Sequence, residues 1–308
     1  MLNLKNYTIS SLKSLEKLPQ LDVAQVTLNS RMFPSKRKTV EYLKILNDYH
    51  NTKLIIHYDY IYIISRYCMF SDYVKKAIID EISDIMHYAQ TVDNIVGIVM
   101  HTDYPFNSKL VHTKDSVDKI YKSAIWDSGN ILSNFSDKSL VLYNSLSEFA
   151  RDLNSRVADI LPLNCKVYIE NTTKVPRDLD FEYGSIESID NLIQSNCWSD
   201  LYGVCTDTEH EYALTGNIVN EEFLSKLQSD VILHLNAIPE GVTSKSHKDR
   251  HSETTIFECS LNGVEFYKRM IEYCNNYSVP FVREVKEETM FLEQEQLRKY
   301  NLEYGSSY

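Results

Sequence analysis

An α/β barrel is the fold class this sequence predicts, and three observations predict it. Short β-branched runs recur along the chain and alternate with longer amphipathic stretches of helical spacing. The runs number eight, the count of a closed TIM (β/α)8 barrel. No low-complexity linker, charge block or repeat divides the 308 residues, so 1–308 reads as one domain of ordinary length for such a barrel.

In chain order, "NYTIS" (6–10) is the weakest strand candidate. "AQVTL" (24–28), "LIIH" (54–57), "GIVMH" (97–101), "KVYIE" (166–170), "GVCTD" (203–207), "VILHL" (231–235) and "FVREV" (281–285) follow. Such runs fit strands buried on both faces. Between them, apolar residues at helical spacing predict helices over 39–50, 71–90, 185–196, 220–230 and 263–277. Ser71, Ser185 and Asn220 are candidate caps, each followed by an acidic residue in the first turn. Residues 105–165 exceed one crossover and predict an expanded β4–β5 connection. It would hold two helices, about 115–126 and 146–160, with a surface excursion around "SNFSDKS".

Composition bounds the partners. Apolar residues at 43% and charged residues at 24% allow both a sizeable core and a soluble surface. The opening "MLNLKNYTIS" lacks the pattern of a secretory signal, and "YIYIISRYCMF" contains Arg66 and is too short to span a bilayer. Six cysteines without a CxxC pair suggest ordinary buried thiols. The expectation is an intracellular monomer (cytoplasmic, nuclear or virion-associated) with no membrane partner. A net charge of −11 argues against a nucleic-acid partner. Three divalent cations would bring it to about −5, which weakens that argument.

The strand ends carry the chemistry. His57, His101, Glu170, Asp207 and Glu284 terminate five proposed strands, and His234 lies near the end of a sixth. In a barrel those ends meet on one face. His210 follows Asp207, and the loop "HKDRHSE" adds Asp249 and His251. Imidazoles and carboxylates without thiolate are the ligand set of catalytic zinc. Nine such groups suit two or three ions, and a cluster of that size suits phosphodiester hydrolysis. Each residue has a plainer reading. A strand-end His is commonly a hydrogen-bonded rim residue, Glu170 or Glu284 could accept a salt bridge, and Asp207 with His210 could be a helix cap. Their repetition over strand after strand is what the plainer readings do not supply. His50, His87, His112 and His247 read as surface or helix positions, Tyr42 and Tyr49 as packing residues, and "KRK" (36–38) as a solvated helix start.

Taken together, "GVCTDTEH", "HLN" followed by "DRH", and "YIENT" resemble the endonuclease IV family of apurinic/apyrimidinic endonucleases over roughly residues 24–285. The resemblance implies a TIM barrel with a metal cluster of three Zn2+ at the C-terminal face of its strands, with Mn2+ admissible at one position. His57, His101 and Glu170 would hold one ion. Glu170, Asp207, His234 and Glu284 would hold the second, and His210, Asp249 and His251 the third. The implied activity, in DNA base excision repair, hydrolyses the phosphodiester 5′ to an abasic site in double-stranded DNA. It leaves a 3′-hydroxyl, and trimming of blocked 3′ ends is implied as well. Glu284 would orient or deprotonate the attacking water, with Glu170 between two ions. Arg31 in "LNSRMF" would wedge into the base stack, Tyr60 would stack beside it, and Arg250 would meet phosphate. The chain departs from the family beside these positions: "HTD" (101–103) replaces a His-Pro-Gly turn, Ala237 stands for an Asp, and the opening Gly-x-His is not recognisable. Two other classes stay open. One is a metal-dependent sugar isomerase or epimerase barrel, which needs fewer ligands. The other is a catalytically reduced DNA-binding homologue.

Overall fold

The computed structural model describes residues 2, 4–9, 21–28, 32–49, 52–59, 62–102, 138–172, 184–242, 253–259 and 263–304. Eight parallel strands form one sheet in sequential order: β1 (Asn6–Ile9), β2 (Val23–Thr27), β3 (Lys53–His57), β4 (Ile95–His101), β5 (Lys166–Glu170), β6 (Tyr202–Asp207), β7 (Val231–His234) and β8 (Phe281–Val282). The sheet curls until β8 meets β1. Thr8 N donates to Arg283 O at 3.0 Å and Arg283 N donates to Asn6 O at 2.9 Å. Helices alternate with the strands: α1 (Thr39–Tyr49), α2 (Asp72–Ala89), α3 (Lys138–Val157), α4 (Ile186–Ser195), α5 (Thr208–Thr215), α6 (Glu221–Lys226), α7 (Gly263–Tyr277) and α8 (Glu287–Tyr304). This is a TIM barrel of nearly closed form. None of the described helices is long and apolar enough to cross a membrane.

Alternation along each strand builds two cores. Ala24, Leu54, Ile56, Ile98, Val167, Val204 and Leu233 face outward into one large apolar layer shared with the helices. Val23, Ile55, Val99, Tyr168, Cys205, Ile232 and Val282 face inward and form a separate cluster inside the barrel. Both faces of the sheet are therefore dry, which is why these strands read as continuous apolar runs. The Tyr168 ring lies across the floor of that inner cluster. A Cβ on Gly97 would stand 2.3 Å from Tyr168 Cε2, and one on Gly203 would stand 2.6 Å from Cε1. Glycine at those two strand positions is the space the ring occupies.

The seam between β8 and β1 is reinforced from outside. Arg283, fully buried, pairs with the fully buried Glu293 of α8 through Nη2–Oε2 at 3.0 Å and Nε–Oε1 at 3.3 Å. The guanidinium also donates to the carbonyls of Leu235 (3.1 Å) and Thr254 (2.9 Å), while Glu293 accepts from Tyr7 Oη (3.0 Å) and Ile256 N (2.8 Å). One ion pair thus ties together β1, the end of β7, residues 254–256 and α8.

Several expectations change. α3 begins at Lys138 rather than near residue 146, so Lys138 and Ser139 of the anticipated surface excursion are helical. Buried Leu142, Leu146, Phe149, Ala150, Leu153 and Val157 give it one continuous apolar stripe. The helix expected at 115–126 lies outside the described residues. β8 ends at Val282, three residues short of its expected end, because Arg283 bridges to β1 instead. Ser185 and Asn220 cap α4 and α6 with side-chain bonds to Ser188 N and Phe223 N, whereas Ser71 stands at the α2 N-cap without one. Cys197 is exposed, unlike the buried thiols at 165, 205, 259 and 274, and no disulfide forms among the described residues. Within "KRK", Lys36 and Lys38 are solvated but Arg37 is not: its side chain is buried against Glu81 (2.6 Å) and Asp59 (3.4 Å) and lies over the rings of Tyr58 and Tyr62.

Candidate metal centre

Inward-facing residues two positions beyond the inner apolar cluster come next along each strand. On β3 to β7 they are His57 after Ile55, His101 after Val99, Glu170 after Tyr168, Asp207 after Cys205 and His234 after Ile232. Glu284 follows Val282 by the same interval. Period-two alternation thus sends six side chains from six neighbouring strands into one space. Register completes the meeting, since His101 is level with Glu170 and Asp207 with His234.

The six form two groups that share Glu170: His57, His101 and Glu170, and then Glu170, Asp207, His234 and Glu284. Glu170 Oε2 lies 3.4 Å from His57 Nε2 and 3.3 Å from His101 Nδ1. Its Oε1 lies 3.1 Å from His234 Nδ1, which is itself 3.0 Å from Glu284 Oε2 and 3.9 Å from Asp207 Oδ2. His57 Nε2 stands 3.8 Å from Glu284 Oε1. His210 adjoins the same carboxylate, with Nδ1 3.6 Å from Glu170 Oε1.

These residues fit divalent cations on two grounds. Donor atoms around a tetrahedral zinc with bonds of about 2.0–2.1 Å stand roughly 3.3 Å apart, and the nitrogen–oxygen separations above bracket that value. Glu170 Oε2, fully buried, also receives no hydrogen bond, an arrangement costly for an anionic oxygen with nothing else to face.

Hydrogen bonds behind the donors decide which nitrogen each ring presents. His57 Nδ1 lies 3.0 Å from Tyr58 O and His210 Nδ1 lies 3.0 Å from Asn171 O. A carbonyl accepts only, so those nitrogens carry the proton and Nε2 is left as donor to a cation. His234 is reversed: Nε2 lies 2.8 Å from Gln25 Oε1, leaving Nδ1 for the carboxylates. Asp207 divides its oxygens. Oδ1 accepts from Glu209 N (2.8 Å) and His210 N (2.9 Å), capping α5, while Oδ2 accepts from Asn236 Nδ2 at 2.6 Å. Asn236 also donates to Glu284 Oε2 (3.3 Å) and accepts from Glu284 N (2.9 Å). Asn171 Oδ1 holds Asp207 N at 2.8 Å.

Charge follows from this packing. Burial works to raise the Glu170 carboxyl, but His101, His234 and His57 hold it well below the usual range. Burial likewise acts upward on Glu284, and His234 above all overcomes it and keeps the group ionised. Burial drives His101 down to about 4, so its ring is neutral. For His57 and His234 burial acts downward, and the surrounding anions more than offset it; His234 is held well above the ordinary imidazole value. The centre is a concentrated negative site that attracts protons where cations would otherwise sit.

Sequence alone pointed to nine donors. Seven lie within the described residues and meet here; Asp249 and His251 lie outside them, as do Arg31, Tyr60 and Arg250. Gln25, Asn171 and Asn236 were not assigned roles from sequence. Gln25 had a signal, being a polar residue flanked on β2 by the apolar Val23, Ala24 and Val26.

No protein-family model matches the chain, and no curated protein matches it. Solved structures do match. A D-tagatose 3-epimerase-like protein aligns with 96% of this chain and 96% of its own, at a TM-score of 0.57 and 15% identity. The structure described as AsfvAP:AG aligns with 92% of this chain and 84% of its own, at a TM-score of 0.54 and 17% identity. A xylose isomerase domain protein from Planctomyces limnophilus aligns with 97% of this chain and 94% of its own, at a TM-score of 0.53 and 12% identity. Together with the eight-stranded parallel barrel, these likenesses show that the chain has the TIM-barrel fold.

Proposed function

We propose that the protein is a zinc-dependent apurinic/apyrimidinic endonuclease that hydrolyses the phosphodiester 5′ to abasic sites in duplex DNA, leaving a 3′-hydroxyl. The observation that carries this reading is the sharing of Glu170 between two donor groups, one on each of its oxygens. A carboxylate in that position suits adjacent cations, the arrangement that clamps both the attacking and departing oxygens of a phosphodiester. Bound zinc supplies Lewis acidity and lowers the pKa of water to about 7. Glu284, ionised and held at both oxygens, is the base that orients the attacking water and takes its proton. His210, with Asp249 and His251, is assigned to a third ion on the leaving-group side. Arg31, Tyr60 and Arg250 are assigned to the DNA. The motifs "GVCTDTEH", "HLN" and "DRH" support this choice among barrels of this fold.

A second reading rests on Glu170, Asp207, His234 and Glu284 alone, which would serve one cation. One ion suffices for a sugar epimerase, the activity named in the first of the structural likenesses. Zinc quantification and one nicking assay separate the two. The endonuclease should hold more than one zinc per chain and nick a duplex carrying a tetrahydrofuran abasic analogue, with cleavage abolished by chelator. One ion or fewer, no nicking, and turnover of a ketose would sink the nuclease reading.

A further inference from the structure

Glu284 stands two residues beyond the last ladder residue of β8, so strand pairing does not fix its side chain. Its oxygens are held from elsewhere. Gln25, on β2 across the barrel seam, donates from Nε2 to Glu284 Oε1 at 2.5 Å. The same amide presents Oε1 to His234 Nε2 at 2.8 Å, and its Nε2 also reaches Thr8 Oγ1 at 3.3 Å. Gln25 is fully buried, and the inward residue beneath it, Val23, is apolar. A buried amide is tolerated where both its ends are used, and here they are used on two different donors of one group.

The orientation of the amide follows from chemistry. Turned over, its carbonyl would face the Glu284 carboxylate and two acceptors would meet. With the carbonyl toward His234, that ring must carry a proton on Nε2, which leaves Nδ1, set among the carboxylates of Glu170, Asp207 and Glu284, as the nitrogen that would hold a cation beside them. We propose that Gln25 is a positioning residue of the second donor group. It fixes the tautomer of His234 and aims Glu284 across the seam, and so sets the affinity and geometry of the cation site those residues form. This rests on the metal reading above and extends it to a residue that touches neither cation nor substrate.

The test compares full-length wild type with Gln25→Leu, which keeps the volume and loses both bonds, and Gln25→Glu, which keeps the acceptor and sets a second carboxylate against Glu284. The readouts are zinc retained against graded chelator, the visible spectrum of the cobalt-loaded protein, and kcat and KM on abasic duplex. Both variants should lose about 10- to 100-fold in affinity for one equivalent of metal. They should also show an altered cobalt spectrum and a lower kcat at nearly unchanged KM. A Gln25→Leu protein with wild-type zinc affinity and cobalt spectrum overturns the proposal and leaves the metal reading standing. A wild type that binds neither zinc nor cobalt overturns both. Should the variants fail to fold, ring nitrogen-15 shifts of His234 in the zinc-loaded wild type still decide. A protonated Nε2 supports the assignment, and a protonated Nδ1 overturns it.

Discussion

Glu284 and His234 set what single residues can be asked. Glu284→Gln keeps the size and shape of the side chain but replaces one of its two accepting oxygens with an amide and removes the base, so cleavage of abasic duplex should fall by about 10²–10⁴-fold in kcat. A rate equal to wild type would remove its proposed role. His234 carries a raised pKa in the ion-free protein. Its contribution to stability is therefore fully present below the unfolded imidazole value of about 6.5 and is lost as pH rises through the folded value. Glu170, held low, contributes above the unfolded carboxyl value of about 4.3, and that contribution is lost as pH falls through the folded value. At pH 7 both are charged, so a cation must displace protons from imidazole. Zinc binding at pH 7 should release protons, seen as a calorimetric heat that varies with the ionisation enthalpy of the buffer. His101, neutral above a pKa of about 4, adds none. A buffer-independent heat would contradict this account.

At the scale of the element, "GVCTDTEH" shows where sequence reading stops. The strand ending at Asp207 was legible, because a run of buried residues meets a carboxylate there. The helix that begins at the next residue was not. α5 is buried on nearly all sides, including Glu209, His210 and Glu211, so it has no polar stripe for periodicity to detect. Its start is marked by the Asp207 cap and its end by Gly216, whose φ of 82° is the left-handed stop. The helix-cap and ligand readings of Asp207 prove compatible, since one oxygen caps and the other faces the cluster. Substitution separates them. Asp207→Ser retains a capping hydroxyl and Asp207→Ala does not, so the metal-free proteins should differ by about 1 kcal/mol in urea unfolding. Both should bind zinc more weakly than wild type. Equal stability of the two would mean that the cap contributes nothing.

The whole molecule was legible in its class and less so in its closure. Eight alternating runs sufficed for the barrel, since each buried strand leaves its own local trace. Arg283 leaves none: an Arg inside "FVREV" looks like any solvated residue of a strand, and its partner Glu293 lies on a helix with only a narrow apolar face. For the same reason Gln25 and Asn236 were invisible as partners, because their hydrogen bonds join residues 259 positions and 48 positions apart in sequence. The Arg283–Glu293 pair should be decisive for stability. Arg283→Met leaves a buried carboxylate without its counter-ion and should cost about 3–5 kcal/mol in chemical unfolding, whereas adding Glu293→Leu should restore part of that loss. A single substitution that unfolds like wild type would show that the seam is held by its backbone bonds alone.

The Tyr168 ring, seated where Gly97 and Gly203 leave room, works as a stopper. A cylinder corked at one end has a single door. Ions, solvent and substrate reach Glu170 from the end where the strands finish, not through the apolar floor beneath it.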